Sequence, residues 1–301
     1  MKNRIDKRIT IGIGIFLILV MFLLISSKTP TSRYFDSLIQ KIVPITLDSK
    51  YYFANELIPI ENFDVAERLE RELLSNTYQH TSTILHLKLA KRYFPLIEDI
   101  FEKEGIPDDM KYLAVAESSL RNSMSSAGAK GFWQFMNPTA KELGLEVTEF
   151  VDERNHFEKS TFAACQYLKK IRQKFGSWTL VAAAYNMGPN GLQSAIEEQK
   201  EDNYYDLNLS DETNRYVFRI LAIKEIMQNP EKYGFYMDSN VGYEKMDKFK
   251  SVVVDTTIES LADFAHDHGI TYRKLKLYNP WLLKSSLPNK TRKVYEIRIP
   301  D

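Results

Sequence analysis

Among the forty acidic side chains of this 301-residue chain, Glu117 is set apart by what precedes it. Met110, Leu113 and Ala114 lie seven, four and three positions earlier, a spacing that puts all four residues on one helical face. The carboxyl group is therefore expected to point inward, where burial disfavours its charged form and lifts its pKa from about 4.3 toward neutrality. A carboxylic acid still protonated near neutral pH can act as a general acid. The blander expectation from spacing alone is a structural ion pair with a nearby base such as Arg121 or Lys130.

Other chemistries find little support. Cys165 is the only cysteine, so no intrachain disulfide can form, and its place in a helical pattern predicts burial rather than catalysis. The five histidines are scattered, and His266 with His268 lacks partners at ligand spacing, so no metal site is expected. No P-loop or dinucleotide-binding fingerprint is present, and no cofactor is implied. Forty Lys and Arg cancel forty Asp and Glu, which leaves no basic field to recruit nucleic acid.

The elements that must position Glu117 can be read from start and stop signals. Residues 1–27 combine Lys2, Arg4, Lys7 and Arg8 with an uncharged apolar run, Ile9–Ile25. As a helix that run spans about 26 Å, just adequate for a bilayer core of about 30 Å, and the basic flank should stay cytoplasmic. The expectation is a single-pass anchor in the cytoplasmic membrane with the body in the periplasm; a cleaved secretory signal is the rival reading. Residues 28–81 have weak periodicity and read as a spacer with peripheral structure. The helical domain is placed at 82–241, where Pro95 is expected to open or kink a helix ending at Gly105, and Pro107 with Asp108 and Asp109 to begin the next. Asn137 and Pro138 predict an N-cap and first turn, and residues from about Phe157 to Phe175 a helix stopped by Gly176. Ser177 is expected to cap a buried helix from Trp178 to Tyr185 that leads into a loop, Asn186 to Pro189. Ser210 and Asp211 precede a last long helix ending at Asn229-Pro230. Two β-branched runs then frame two short helical patterns, so residues 249–301 are predicted to form a βααβ module.

The sequence following Glu117 adds identity to this outline. It reads Glu117-Ser118-Ser119, then Ser125-Ser126-Ala127-Gly128-Ala129-Lys130-Gly131-Phe132-Trp133-Gln134-Phe135-Met136. Val151-Asp152-Glu153-Arg154, Ala183-Ala184-Tyr185-Asn186-Met187-Gly188-Pro189 and Glu212-Thr213-Asn214-Arg215-Tyr216-Val217 follow in order. From about Tyr93 to Phe235 the chain resembles the soluble-lytic-transglycosylase domain, a goose-lysozyme-like fold, of the membrane-bound lytic murein transglycosylase D type. Phe132 stands where that family usually has Leu, and Asn137 precedes Pro138. The resemblance implies a mainly α, lysozyme-like helical catalytic domain followed by the small βααβ module. It further implies that Glu117 is the sole catalytic acid and base, and that Ser125, Gln134, Tyr185, Asn186 and Tyr216 line a groove for peptidoglycan glycan strands. Trp133 is as readily core filling as a sugar platform, and each polar groove residue could equally serve its own loop.

What the resemblance implies for chemistry is cleavage between N-acetylmuramic acid and N-acetylglucosamine. Most glycosidases use two carboxylates, and these motifs supply one. One suffices if its conjugate base deprotonates the muramyl 6-hydroxyl, which then attacks its own C1 and leaves a 1,6-anhydro end. A hydrolytic muramidase is the alternative, should Glu142, Glu146, Asp152 or Glu153 activate water; a catalytically silent wall-binding protein is a more distant one. The C-terminal module resembles a LysM peptidoglycan-binding module through Asp255-Thr256-Thr257-Ile258, Leu261-Ala262, Gly269, Leu275, Tyr278-Asn279 and Ile299-Pro300, with Val254 where a Gly is usual. A packing appendage is the other reading of that unit.

Overall fold

A computed structural model describes residues 43–47, 49–238 and 241–301, and residues 45–301 form one compact unit. The Ile9–Ile25 run expected to anchor the chain lies outside the described residues. Among those described, no helix is long and apolar enough to cross a membrane.

A two-stranded hairpin, β1 (Tyr52–Phe53) and β2 (Glu56–Leu57), opens the unit, and α1 (Phe63–Thr77) follows. Asn62 caps α1 by accepting the Asp64 N–H at 3.0 Å. Here the structure corrects the sequence reading. Tyr51, Phe53, Ile58, Val65, Leu69 and Leu73 are buried in the main core, so the spacer expected through residue 81 gives way to core structure by Tyr51. The stripe Val65, Leu69, Leu73 repeats every fourth residue, but Asp64, Glu67, Arg68, Glu70, Arg71 and Glu72 crowd around it and dilute its periodicity.

The next helix, α2 (His80–Glu104), runs through Pro95 and ends at Gly105 with φ 66°. Pro95 therefore neither opens nor ends it. Buried Thr83, His86 and Leu89 continue into Ile97, Ile100 and Phe101, and packing along both halves offsets the roughly 3 kcal/mol cost of an interior proline. A 3₁₀ turn at Asp108–Lys111 leads into the short α3 (Tyr112–Ser118), and α4 (Asn137–Glu142) begins one residue from expectation, with Met136 at the N-cap position. Next come α5 (Phe157–Phe175), closed by Gly176, and α6 (Trp178–Met187), capped by Ser177 Oγ accepting the Leu180 N–H at 3.2 Å. The loop expected at 186–189 is a single hinge residue: Gly188, at φ 88°, turns α6 directly into α7 (Pro189–Gln199). The long α8 (Asp211–Gln228) starts at its Ser210 cap and lies against α1, α3 and α6.

The C-terminal module has the expected order: β3 (Phe249–Val254), α9 (Leu261–Asp267), α10 (Tyr272–Tyr278) and β4 (Tyr295–Pro300), the strands antiparallel with Phe249 opposite Pro300 and Val254 opposite Tyr295. Tyr295, Ile297 and Ile299 alternate inward onto Leu261, Ala265 and Leu275. Val151 of the helical domain is buried in this same small core. The Asp152 N–H donates to the Trp281 carbonyl at 2.9 Å, the Leu283 N–H to Phe150 at 2.8 Å, and Arg298 pairs with Glu158 at 2.6 Å. The module is thus bonded to the segment that holds the site described next.

Candidate active site

Glu117 occupies the last turn of α3, and Met110, Leu113 and Ala114 are fully buried beneath it. The helix stops because Ser119 and Leu120 both take positive φ, 53° and 56°. For side chains other than glycine this costs about 1–2 kcal/mol per residue, and it is tolerated because its surroundings hold it. The Ser118 hydroxyl donates to the Ala114 carbonyl at 3.0 Å, and His86 Nε2 lies 3.0 Å from the Ser119 hydroxyl. Burial, with the charge of Arg121, lowers the His86 pKa to about 4, so it pins the turn as a neutral imidazole. His86 is a contributor that scattered histidines gave no reason to single out.

The Glu117 carboxyl group has no ion-pair partner among the described residues. Lys130, one of the two bases expected to pair with it, is bound to Asp152 at 3.1 Å. The Tyr216 hydroxyl, from α8, donates to Glu117 Oε1. Burial pushes the Glu117 pKa up to about 7; the Tyr216 hydrogen bond opposes that rise, the Glu212 carboxylate adds to it and Arg219 subtracts from it. Tyr185, from α6, stands close enough for the Glu117 charge to raise its pKa further above a value already lifted by burial. Its hydroxyl donates to the Trp133 carbonyl at 2.6 Å, and its ring meets Tyr167 edge-on at 5.5 Å. Asn186 Oδ1 accepts from the Thr213 hydroxyl at 2.8 Å, tying the end of α6 to the start of α8.

Ser125 and Gln134 belong to a loop whose polar groups largely serve one another. Ser125 Oγ accepts the Ala129 N–H at 3.0 Å, and Gln134 Nε2 donates to Gly131 at 2.7 Å and to Ser123 at 3.1 Å. Both side chains are thus engaged in holding their own loop. Trp133 is fully buried with its indole N–H on the Thr161 hydroxyl at 3.1 Å, which makes it core rather than a sugar platform. Cys165 is likewise fully buried, and burial pushes its thiol up to about 12.

The loop is held from outside by Arg154. Its guanidinium binds Asp152 through Nε and Nη2, both at 2.9 Å, while Nη1 donates to the carbonyls of Gly128 and Phe135, both at 3.1 Å. Gly131 sits so close to this segment that an added Cβ would lie 2.0 Å from the Arg154 carbonyl oxygen. Arg154 and its salt-bridged Asp152 were legible as a motif, but not as the brace of the 123–135 loop.

These pairings also sort the carboxylates that could activate water. Burial tends to raise Asp152, yet hydrogen bonds and charge from Arg154 and Lys130 hold it below the usual carboxylate range. Lys159 does the same for Glu153, and Glu146 accepts from the Tyr295 hydroxyl at 3.1 Å and pairs with Lys293. Only Glu142, exposed at the end of α4, has no ion pair among the described residues.

One helix-end acid, two tyrosines from facing helices and a braced loop define a class of site. Residues 96–208 match the family model for the transglycosylase SLT domain, and residues 250–301 match that for the soluble lytic transglycosylase C-terminal LysM-like domain. The chain carries an SLT transglycosylase domain followed by a LysM-like domain. It is 29% identical over 233 residues to membrane-bound lytic murein transglycosylase D of Escherichia coli K12, covering 75% of this chain and 50% of that protein. It is 28% identical over 113 residues to a putative tributyltin chloride resistance protein of Alteromonas sp. M-1, covering 37% and 55%. The chain thus spans about half the length of the curated relatives it matches. Among solved structures it is similar to the 70 kDa soluble lytic transglycosylase of Escherichia coli, at 19% identity and a TM-score of 0.42 over 64% of this chain and 33% of that one. An inactive mutant of lytic transglycosylase Slt from Pseudomonas aeruginosa matches at 18% identity and a TM-score of 0.39, over 50% and 26%.

Proposed function

We propose that this protein is a peptidoglycan lytic transglycosylase in which Glu117 is the single general acid and base. The observation that carries the reading is a carboxyl group with a pKa near 7, hydrogen-bonded by Tyr216, while Asp152, Glu153 and Glu146 are committed to ion pairs elsewhere. Protonated Glu117 delivers its proton to the oxygen joining muramyl C1 to N-acetylglucosamine, and the C1–O bond breaks as positive charge develops at C1. The resulting carboxylate, stabilised by the Tyr216 hydroxyl, removes the proton of the muramyl 6-hydroxyl. O6 closes onto C1, Glu117 is protonated again, and no water is consumed. Ser125, Gln134, Tyr185, Asn186 and Tyr216 shape the groove that presents the strand. Purified sacculi should lose turbidity and release soluble glycan when treated with the protein; sacculi left intact would overturn the assignment.

Because the acid form starts the reaction, kcat/KM on a soluble glycan should fall about tenfold per pH unit above roughly pH 7, following the raised Glu117 pKa. A rate that holds level from pH 6 to pH 9 would assign the proton to another group.

The protein acts from the outer face of the cytoplasmic membrane, anchored through Ile9–Ile25. This rests on the basic flank and apolar run, and the curated relative is itself named membrane-bound. The full chain should sediment with membranes and resist a high-salt wash, whereas one beginning near Lys28 should stay in the supernatant. Recovery of a free periplasmic protein starting near Ser27 would show that the segment is a cleaved signal instead.

A further inference from the structure

A cavity of about 710 Å³ opens between the helical domain and the C-terminal module, and neither Glu117 nor any of the groove residues lines it. Its size and its position at a junction of two folded units are those of ligand sites, which are mostly apolar with a few directing polar groups. Tyr93 and Phe157 supply aromatic wall from one side and Trp281 from the other. Five cationic side chains line it against three acidic ones, and one of those acids, Asp99, is already paired with Lys103 at 2.7 Å. Arg121 and Lys245 are exposed at the cavity and enter no ion pair among the described residues. The unspent charge is therefore positive.

We infer that this cavity binds the peptide stems that muramyl sugars carry, which rests on the peptidoglycan reading above and extends it to substrate choice. Such a stem offers alkyl side chains to the aromatic wall, and free carboxylates to Arg121 and Lys245. A bare glycan offers only the lactyl carboxylates of its muramyl sugars, held at the sugar ring, and no carboxylate at the reach of a stem. Position agrees with this. Arg121 follows Glu117 by four residues, so their Cα atoms are within about 14 Å, which is also the reach of an extended four-residue stem. A strand whose sugars lie at Glu117 can then place a stem in the cavity, and the C-terminal module, through Trp281, selects peptide-bearing strands.

Titration calorimetry on the full chain in detergent, with a free acidic stem tetrapeptide, its fully amidated counterpart and chitotetraose, tests this. The acidic tetrapeptide should bind, and both amidation of the peptide and the double substitution Arg121→Glu with Lys245→Glu should weaken it at least tenfold while chitotetraose binding is unchanged. Absence of peptide binding, indifference to the charge reversal, or loss of chitotetraose binding in its place would overturn the inference. Amidation requires no altered protein, so that comparison stands whatever the substitutions do to folding. The titration decides this inference alone; digestion of sacculi by the same preparation decides the reading beneath it.

Discussion

Glu117→Gln is expected to reduce release of glycan fragments from sacculi by a factor of about 10³ or more while the protein still folds and binds glycan. Glutamine preserves size and hydrogen-bonding reach but cannot cycle a proton. General acid–base assistance alone is commonly worth about 10² to 10⁴, and in the proposed mechanism one group serves as both donor and acceptor. The same substitution separates chemistry from stability. The folded-state pKa of Glu117 lies near 7, above the ordinary value of 4.5, so its stabilising contribution is complete below about pH 4.5 and is lost as pH rises through 7. The variant should therefore match the wild-type Tm at pH 4 and exceed it at pH 8. Equal Tm values at pH 8 would mean that the fold does not raise the Glu117 pKa, and retained lytic activity would remove it from the mechanism.

Gly131→Ala should be the most damaging of the loop substitutions, and Gly128→Ala its control. Both glycines have positive φ, 85° and 87°, so each alanine incurs a backbone cost of about 1–2 kcal/mol. They differ in what surrounds them. Nothing lies within 4 Å of a Cβ at Gly128, whereas one at Gly131 meets the Arg154 carbonyl oxygen at 2.0 Å and its carbon at 2.7 Å. That carbonyl is backbone, and Arg154 is fixed by Asp152 and by two loop carbonyls, so neither side can yield without loosening the brace. A clash of this kind should cost about 3–5 kcal/mol, or about 6–20 °C in Tm, against about 2–8 °C for Gly128→Ala. Activity should fall at least tenfold for Gly131→Ala, since displacing the 123–135 loop moves Gln134 and the Trp133 carbonyl that holds Tyr185. Matching melting temperatures for the two variants would show that the close approach is not maintained in solution.

Local signals announced much of this architecture. The helix Phe157–Phe175 was readable because Ala164, Leu168 and Ile171 keep one face and Gly176 supplies a left-handed stop. The inward aim of Glu117 was readable for the same reason, since three buried residues at helical spacing precede it. The failures have equally physical causes. Charges crowding the stripe of α1 hid it, and one glycine did the work expected of a loop at 186–189. The links that complete the site join residues far apart in the chain. Tyr216 reaches Glu117 across 99 positions, His86 reaches Ser119 across 33, and Arg154 holds carbonyls 26 and 19 residues away. Periodicity carries no information about such contacts.

The two carboxylate chemistries open to this fold differ in a product that can be weighed. If Glu117 works alone, the muramyl ends released from sacculi close on their own 6-hydroxyl and are one water lighter than hydrolytic ends. If exposed Glu142, which alone of Glu142, Glu146, Asp152 and Glu153 has no ion pair among the described residues, activates water, the ends carry that water. Mass spectrometry of the fragments released by the wild-type protein should find anhydromuramyl ends throughout; a product made of reducing, hydrolysed ends would contradict the single-acid mechanism and identify the protein as a muramidase.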